Sequence, residues 1–242
     1  MPRLGFGASL SGGAAVSEEP FANTSYVTFD GSNDHISTTS KVELQVFTLN
    51  CWAKLAPSTA YEGICGCMGS DGFDGYRLGF SNIGAIHCTV GDATSYIYLN
   101  SGTANMDNDT WRFLSTSYDG TTLKAYVAGE DDGGSMVVYN RSDTEMTITF
   151  DDNFHIGAWT DFISPFGGDV DEVSLYNKVL SSEEFATLYG DDGDPTNAGD
   201  PRTISGLVGY YRLEEGTGTS TADSSSTGNN GTLVNGVAWA TH

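Results

Sequence analysis

The chain has 242 residues, enough for one large β-domain with a substantial core, and 38% of them are hydrophobic, too many for a disordered chain. Its 10 basic residues stand against 32 acidic ones, and the net charge of −22 repels phosphate backbones and anionic lipid surfaces, which argues against nucleic-acid partners. No apolar run approaches the roughly 20 residues that cross a bilayer, so membrane insertion is not expected either.

The acid excess fits solubility, with metal binding or a basic partner as the functional alternatives. Residues 1–24 form an expected N-terminal arm of small and polar residues, anchored only by Leu4, Phe6, Leu10, Val16 and Phe21. A single Arg3 precedes a stretch broken by Gly and Ser, unlike a signal peptide. The expectation is therefore cytoplasmic origin or export by another route, such as release within a virus particle, where a neighbouring subunit would hold the arm.

Strand signals begin at Tyr26-Val-Thr-Phe29, followed by the turn Asp30-Gly31-Ser32-Asn33-Asp34. Phe47 to Leu55 alternates, with Phe47, Leu49, Cys51, Ala53 and Leu55 on one face and Thr48, Asn50, Trp52 and Lys54 on the other. Tyr76/Leu78/Phe80 and Ile86/Cys88/Val90 alternate in the same way. Trp111 to Tyr118 leads through Asp119-Gly120 into Leu123 to Val127, a hairpin signature. Thr147 to Phe150, Phe154 to Gly157 and Asp169 to Tyr176 follow, the last with Asp171, Val173 and Leu175 on one face. Short strands at this spacing, rich in turn residues, predict an all-β antiparallel sandwich or jelly roll. One short helix is expected after the last of them, where Ser181 and Glu184 form a capping box ahead of Phe185, Leu188 and Tyr189. Residues 191–206 read as a polar linker loop, and Leu207 to Leu213 as a further strand opening a C-terminal segment, 207–242.

Cys65-Gly66-Cys67 lacks the spacing of redox or zinc sites, and no His lies at ligand distance in sequence. With Cys51 and Cys88 in strand-like runs, all four cysteines are expected to be reduced and structural.

The order of four segments resembles the laminin-G-like or concanavalin A-like jelly-roll superfamily, in its bacterial and phage-associated branch. They are Tyr26-Val-Thr-Phe-Asp-Gly31 with Asp34; Phe47-Thr-Leu-Asn-Cys-Trp52; Asp109-Thr-Trp-Arg-Phe-Leu with Tyr118-Asp-Gly and Ala125-Tyr-Val-Ala-Gly129; and Phe166-Gly-Gly-Asp-Val-Asp-Glu-Val-Ser-Leu-Tyr-Asn177 with the helix after it. Ala128 departs from the family, which usually has Asn there. The resemblance covers residues 25–190. The segment Leu207-Val-Gly-Tyr-Tyr-Arg-Leu-Glu-Glu-Gly216, with Asp223 and Gly228 to Leu233, is similar to a strand and loop that usually precede this domain. We expect it to fold back and complete its own sandwich, the alternative being donation of the strand to a neighbouring subunit.

The resemblance implies several sites. Glycosidases of this fold carry an E-x-D-x-x-E strand with paired carboxylates. Here Asp169 and Asp171 share a strand face while Glu172 is expected on the other, and no such string exists, so no enzyme activity is expected. Many members hold a calcium ion, for which Asp30, Asp34 and Asp171 with the Gly31 carbonyl are the candidate ligands. The cluster Asp191, Asp192, Asp194 is a weaker candidate. For glycans, the aromatic candidates are Trp52, Tyr96, Tyr98 and Trp159. The expected function is a structural component of a bacteriophage particle (a capsid decoration or cement protein, or part of a fibre) on the outer virion surface. Partners would be other virion subunits or further copies of the chain, and host-surface glycans. The alternative is a carbohydrate-binding module or lectin of a bacterial surface or secreted protein.

Overall fold

The structure, a computed structural model, describes residues 21–57, 60–69, 72–101, 109–129, 136–142, 145–160, 164–190 and 192–242. Residues 1–20 of the expected arm, and Asp191, lie outside the described residues. In chain order the strands are β1 (Ser25–Asp30), β2 (His35–Thr38), β3 (Phe47–Leu55), β4 (Glu62–Met68), β5 (Asp74–Phe80), β6 (Ile86–Asp92), β7 (Tyr96–Asn100), β8 (Arg112–Tyr118), β9 (Thr122–Gly129), β10 (Val137–Ser142), β11 (His155–Ile156), β12 (Gly167–Tyr176), β13 (Leu207–Tyr211), β14 (Ser220–Thr221), β15 (Gly231–Val234) and β16 (Ala238–Thr241). They form two antiparallel sheets. The first runs β10-β9-β8-β3-β12-β1-β16, with β13 also on β12, and the second runs β14-β15-β2-β11-β4-β5-β6-β7. The expected jelly-roll sandwich is the observed fold.

Period-2 alternation builds the core between the sheets. Phe47, Leu49, Cys51, Ala53 and Leu55 of β3 meet Tyr76, Leu78 and Phe80 of β5 and Ile86, Cys88 and Val90 of β6. Each large apolar side chain buried there contributes about 1.5–3 kcal/mol. The four cysteines are buried and free. Burial pushes the Cys67 and Cys88 thiols up to about 12, which leaves them protonated packing groups.

The outer face of the first sheet is covered too. The helix α1 (Ser182–Tyr189) starts with the expected capping box, in which the Glu184 N–H donates to Ser181 Oγ and the Ser181 N–H to Glu184 Oε2. Its Phe185, Leu188 and Tyr189 join Trp52, Phe113 and Tyr126 in a second apolar cluster. Residues 192–206, expected as a linker, make two short 3-10 turns, Pro195–Asn197 and Pro201–Thr203, capped by Asp194 and Asp200. Ala198 and Ile204 enter the same cluster, so the segment is packed structure.

The C-terminal residues pair within their own chain. Strand β13 lies on the second half of β12, β15 on β2 and β16 on β1. Glu214 Oε1 accepts the backbone N–H groups of Thr24 and Ser25, and the His242 N–H donates to the Thr24 carbonyl. A sheet position that β1 covers at one end of β12 is thus covered by β13 at the other. The switch needs a bulge, and β12 has one between Asp171 and Ser174, with Glu172 at φ 50°.

The bulge corrects the expected face pattern. Val170, Val173 and Leu175 enter the main core. Asp171 and Glu172 both turn to the outer side, where Asp171 Oδ2 accepts from Asn23 Nδ2 (2.7 Å) and meets His242 Nε2 (3.0 Å), and the Tyr210 hydroxyl donates to Glu172 Oε2. Burial pushes the Asp171 carboxyl up to about 6 and raises that of Glu172 as well. The space beside Glu172 is only about 10 Å³, room for no more than one water. These neighbouring carboxyls are sealed inside the fold.

Candidate functional site

An open cleft of ≈ 480 Å³ lies on the outer face of the second sheet, over β4 to β7. Two rows of cross-strand partners set its floor. One row runs Gly63–Gly79–His87–Asn100 and the next runs Gly66–Arg77–Thr89–Tyr98. Because Tyr76, Leu78, Ile86, Cys88, Ile97 and Leu99 face the core, the residues between them must face outward.

The paired glycines decide how the cleft is built. After β11 the chain turns at Gly157, at φ 87°, and brings Trp159 back over β4 and β5. A Cβ on Gly63 would fall 2.1 Å from Trp159 Cδ1, and one on Gly79 would fall 3.0 Å from Trp159 Nε1. Without those methyl groups the indole sinks onto the sheet. The Arg77 guanidinium then stacks on the indole at 3.7 Å, a cation–π contact in a desolvated setting.

Polar bonds lock that guanidinium. Arg77 Nε donates to Thr89 Oγ1 at 3.1 Å, and Arg77 Nη2 lies 3.2 Å from His87 Nε2. His87 Nδ1 lies 2.6 Å from Asn100 Oδ1. The network assigns the proton to Nδ1, which donates to Asn100, and leaves Nε2 to accept from Arg77. Burial, reinforced by the nearby Arg77 charge, pushes His87 down to about 4 against the bond to Asn100, so the ring is neutral at ordinary pH. Burial pushes Arg77 down to about 10, which still leaves it charged.

Tyrosines form the walls. Tyr61, Tyr96 and Tyr98 are 42%, 44% and 43% exposed, unusually open for such large rings. Tyr61 meets His87 edge-on at 5.4 Å, Tyr98 lies 6.1 Å from His87, and Tyr96 lies 5.9 Å from Tyr98. The aromatic strip continues to Phe73, 5.4 Å from Tyr96. Arg141 of β10 donates to the Tyr98 carbonyl at 2.9 Å and borders the outer end.

The expected glycan residues divide accordingly. Tyr96, Tyr98 and Trp159 line this one cleft. Trp159 is only 7% exposed, however, and serves as the bed for Arg77 more than as an open platform. Trp52 is a correction. It sits on the other sheet, 1% exposed and stacked on Tyr189 at 5.7 Å, because α1 covers the face that alternation alone leaves open. Sequence reading missed Tyr61, Arg77, His87 and Asn100. A usable signal was present: Gly63 and Gly79 interrupt strands, where glycine marks close approach by another group.

The calcium set does not assemble. Asp30 pairs with Gly167 across β1 and β12, and Asp171 lies four residues further along, about 13 Å on an extended strand. Asp30 Oδ1 accepts from the Ser32 N–H and Asp34 Oδ2 from the Asp30 N–H, while Gly31 turns against Gly167. Asp192 and Asp194 cap their own loop through Asn197 and Thr196. Among the described residues no three His, Cys, Asp or Glu side chains gather as a metal site. The residues present do not fit the ion that the resemblance implies.

Residues 30–186 match the family model described as the concanavalin A-like lectin/glucanases superfamily. The chain belongs to this superfamily. A search of curated proteins finds no match. Among solved structures, the chain is similar to a putative carbohydrate-binding protein from Bacteroides ovatus (TM-score 0.62, 20% identity, 92% of this chain and 61% of that one). It is similar to the CBM40 of the Ruminococcus gnavus IT-sialidase (TM-score 0.54, 15% identity, 69% and 97%). It is similar also to the enzymatically active domain of tailspike protein 2 of bacteriophage CBA120 (TM-score 0.55, 9% identity, 86% and 35%). The chain spans about three fifths of the Bacteroides protein, and at these identities the likenesses speak for the fold alone. Among the described residues no helix is long and apolar enough to cross a membrane.

Proposed function

We propose that this superfamily member is a non-catalytic carbohydrate-binding module, with its glycan site in the cleft over β4 to β7. The observation that carries this reading is the set of open tyrosine rings beside locked polar groups. Tyr61, Tyr96 and Tyr98 offer flat apolar faces to sugar rings, and Arg77 and Asn100, both bonded to His87, supply a few fixed hydrogen-bonding groups within reach. Recognition sites for small ligands commonly combine these features. A glycosidase would need a pair of carboxyl groups flanking the bond to be cleaved, and among the described residues no acidic side chain lines this cleft. The carbohydrate-binding neighbours agree with the reading.

The likeness to a phage tailspike supports a second, compatible reading. In a particle component, on the outer virion surface and in contact with other subunits or further copies of itself, the same cleft would hold host glycans. The case for strand donation loses force, because residues 207–242 pair within the chain. A glycan array with the wild type and Tyr98→Ala tests the main reading. Losing one stacked ring should weaken binding about threefold to tenfold at unchanged melting temperature. Wild type that binds no glycan would sink the proposal.

A further inference from the structure

We infer that the cleft selects glycans carrying a carboxylate, and that Arg77 is the group that receives it. The inference rests on the glycan reading and narrows its ligand class.

Charge placement is the first observation. The chain has 32 acidic residues, yet among the described residues none of them lines the cleft, while Arg77, one of only 10 basic residues, lies in it. Three other cations sit in ion pairs: Lys54 with Asp169 at 2.7 Å, Lys178 with Glu184 at 2.6 Å and Arg202 with Asp200 at 2.8 Å. Arg77 is treated differently. Its neighbours Thr89, His87 and Trp159 are neutral, and among the described residues it has no carboxylate partner. A largely desolvated guanidinium without an anion is costly to keep, and a ligand anion would relieve that cost.

Geometry is the second observation. The indole holds the guanidinium plane, and Nε and Nη2 are tied to Thr89 and His87. Nη1 has no partner among the described residues, although Arg77 lines the cleft. The free edge of a locked, planar fork matches a carboxylate better than a neutral hydroxyl, and it has already lost its rotamer freedom. The His87 tautomer set by Asn100 lets the ring accept from Arg77 and adds no second charge. Exposed acidic side chains more than about 8 Å from the cleft oppose an anion only weakly, because such charges are screened at physiological salt.

The test is calorimetric titration of the full chain at about 0.15 M ionic strength. The probes are oligosaccharides ending in glucuronate, galacturonate or N-acetylneuraminate, each beside its carboxyl-reduced derivative and a sulfated neutral analogue. At least one acid should bind about tenfold to a hundredfold more tightly than its reduced form, the range of a charge-assisted hydrogen bond. Arg77→Gln should erase that preference, and Arg77→Lys should keep part of it. Equal binding of acid and reduced forms would overturn the inference, as would a preference for the sulfate ester. So would an acid preference that survives in folded Arg77→Gln. If that variant does not fold, the matched pairs on wild type still decide. Neutral sugars that bind and are lost with Tyr98→Ala, with no acid preference, defeat the inference alone. Absence of all glycan binding defeats the glycan reading with it.

Discussion

His87→Gln tests whether the polar floor of the cleft is held by a neutral imidazole. The ring is 5% exposed, and burial lowers its pKa from an ordinary 6.5 to about 4. At 1.36 kcal/mol per pH unit, the gap corresponds to about 3 kcal/mol. The direction follows from which form the fold prefers. The native state favours neutral His87, so its contribution is complete above pH 6.5, shrinks as pH falls and is gone below about 4. Asp171 acts in the opposite sense. Its carboxyl is raised from 3.8 to about 6, so stability falls as pH rises through that window. The two effects overlap, and the wild-type profile alone would show little. Urea unfolding of wild type and His87→Gln in parallel cancels Asp171 and exposes His87. Between neutral pH and about pH 4, wild type should lose about 3 kcal/mol more than the variant. The imidazole resonances of His87 should titrate near 4, and glycan affinity should fall over the same range as protonation turns Nε2 from acceptor to donor. Parallel stability profiles, or a His87 midpoint near 6.5, would refute the reasoning.

Two further outcomes separate the core from the cleft. Trp52→Ala should destabilise the fold by about 3–5 kcal/mol, because the ring is 1% exposed beneath α1. Chemical denaturation measures the loss, and glycan affinity of the remaining folded protein should be unchanged. Thermal melting in chelator and then in added calcium should give the same midpoint, because Asp171 is held with His242 and Asn23, away from Asp30 and Asp34. A rise of several degrees with calcium would show that the loops rearrange to assemble a site.

Much of the fold was legible as pattern. The alternation of β3, β5 and β6 marks a strand by its period alone, and Ser181 with Glu184 announces the start of α1 through two local hydrogen bonds. Such signals are written within a few residues, which is why reading along the chain recovers them. The site was legible only in part. Tyr96 and Tyr98 share a face by alternation, and Trp159 stood out as an aromatic in a turn, but nothing local ties them together.

The sequence by itself determined the all-β class, the order of the strands, the helix cap and the absence of a glycosidase-type carboxylate string, because each follows from period or short spacing. Tertiary structure alone decided which aromatic rings stay open. Trp52 disappears because a helix more than a hundred residues later covers its face, and Arg77 becomes a poised cation because two paired glycines let a distant tryptophan slide beneath it. The bulge at Asp171 and Glu172 is of the same kind. It exists because β12 changes partner from β1 to β13, and that exchange depends on a C-terminal segment returning to the N-terminal strand.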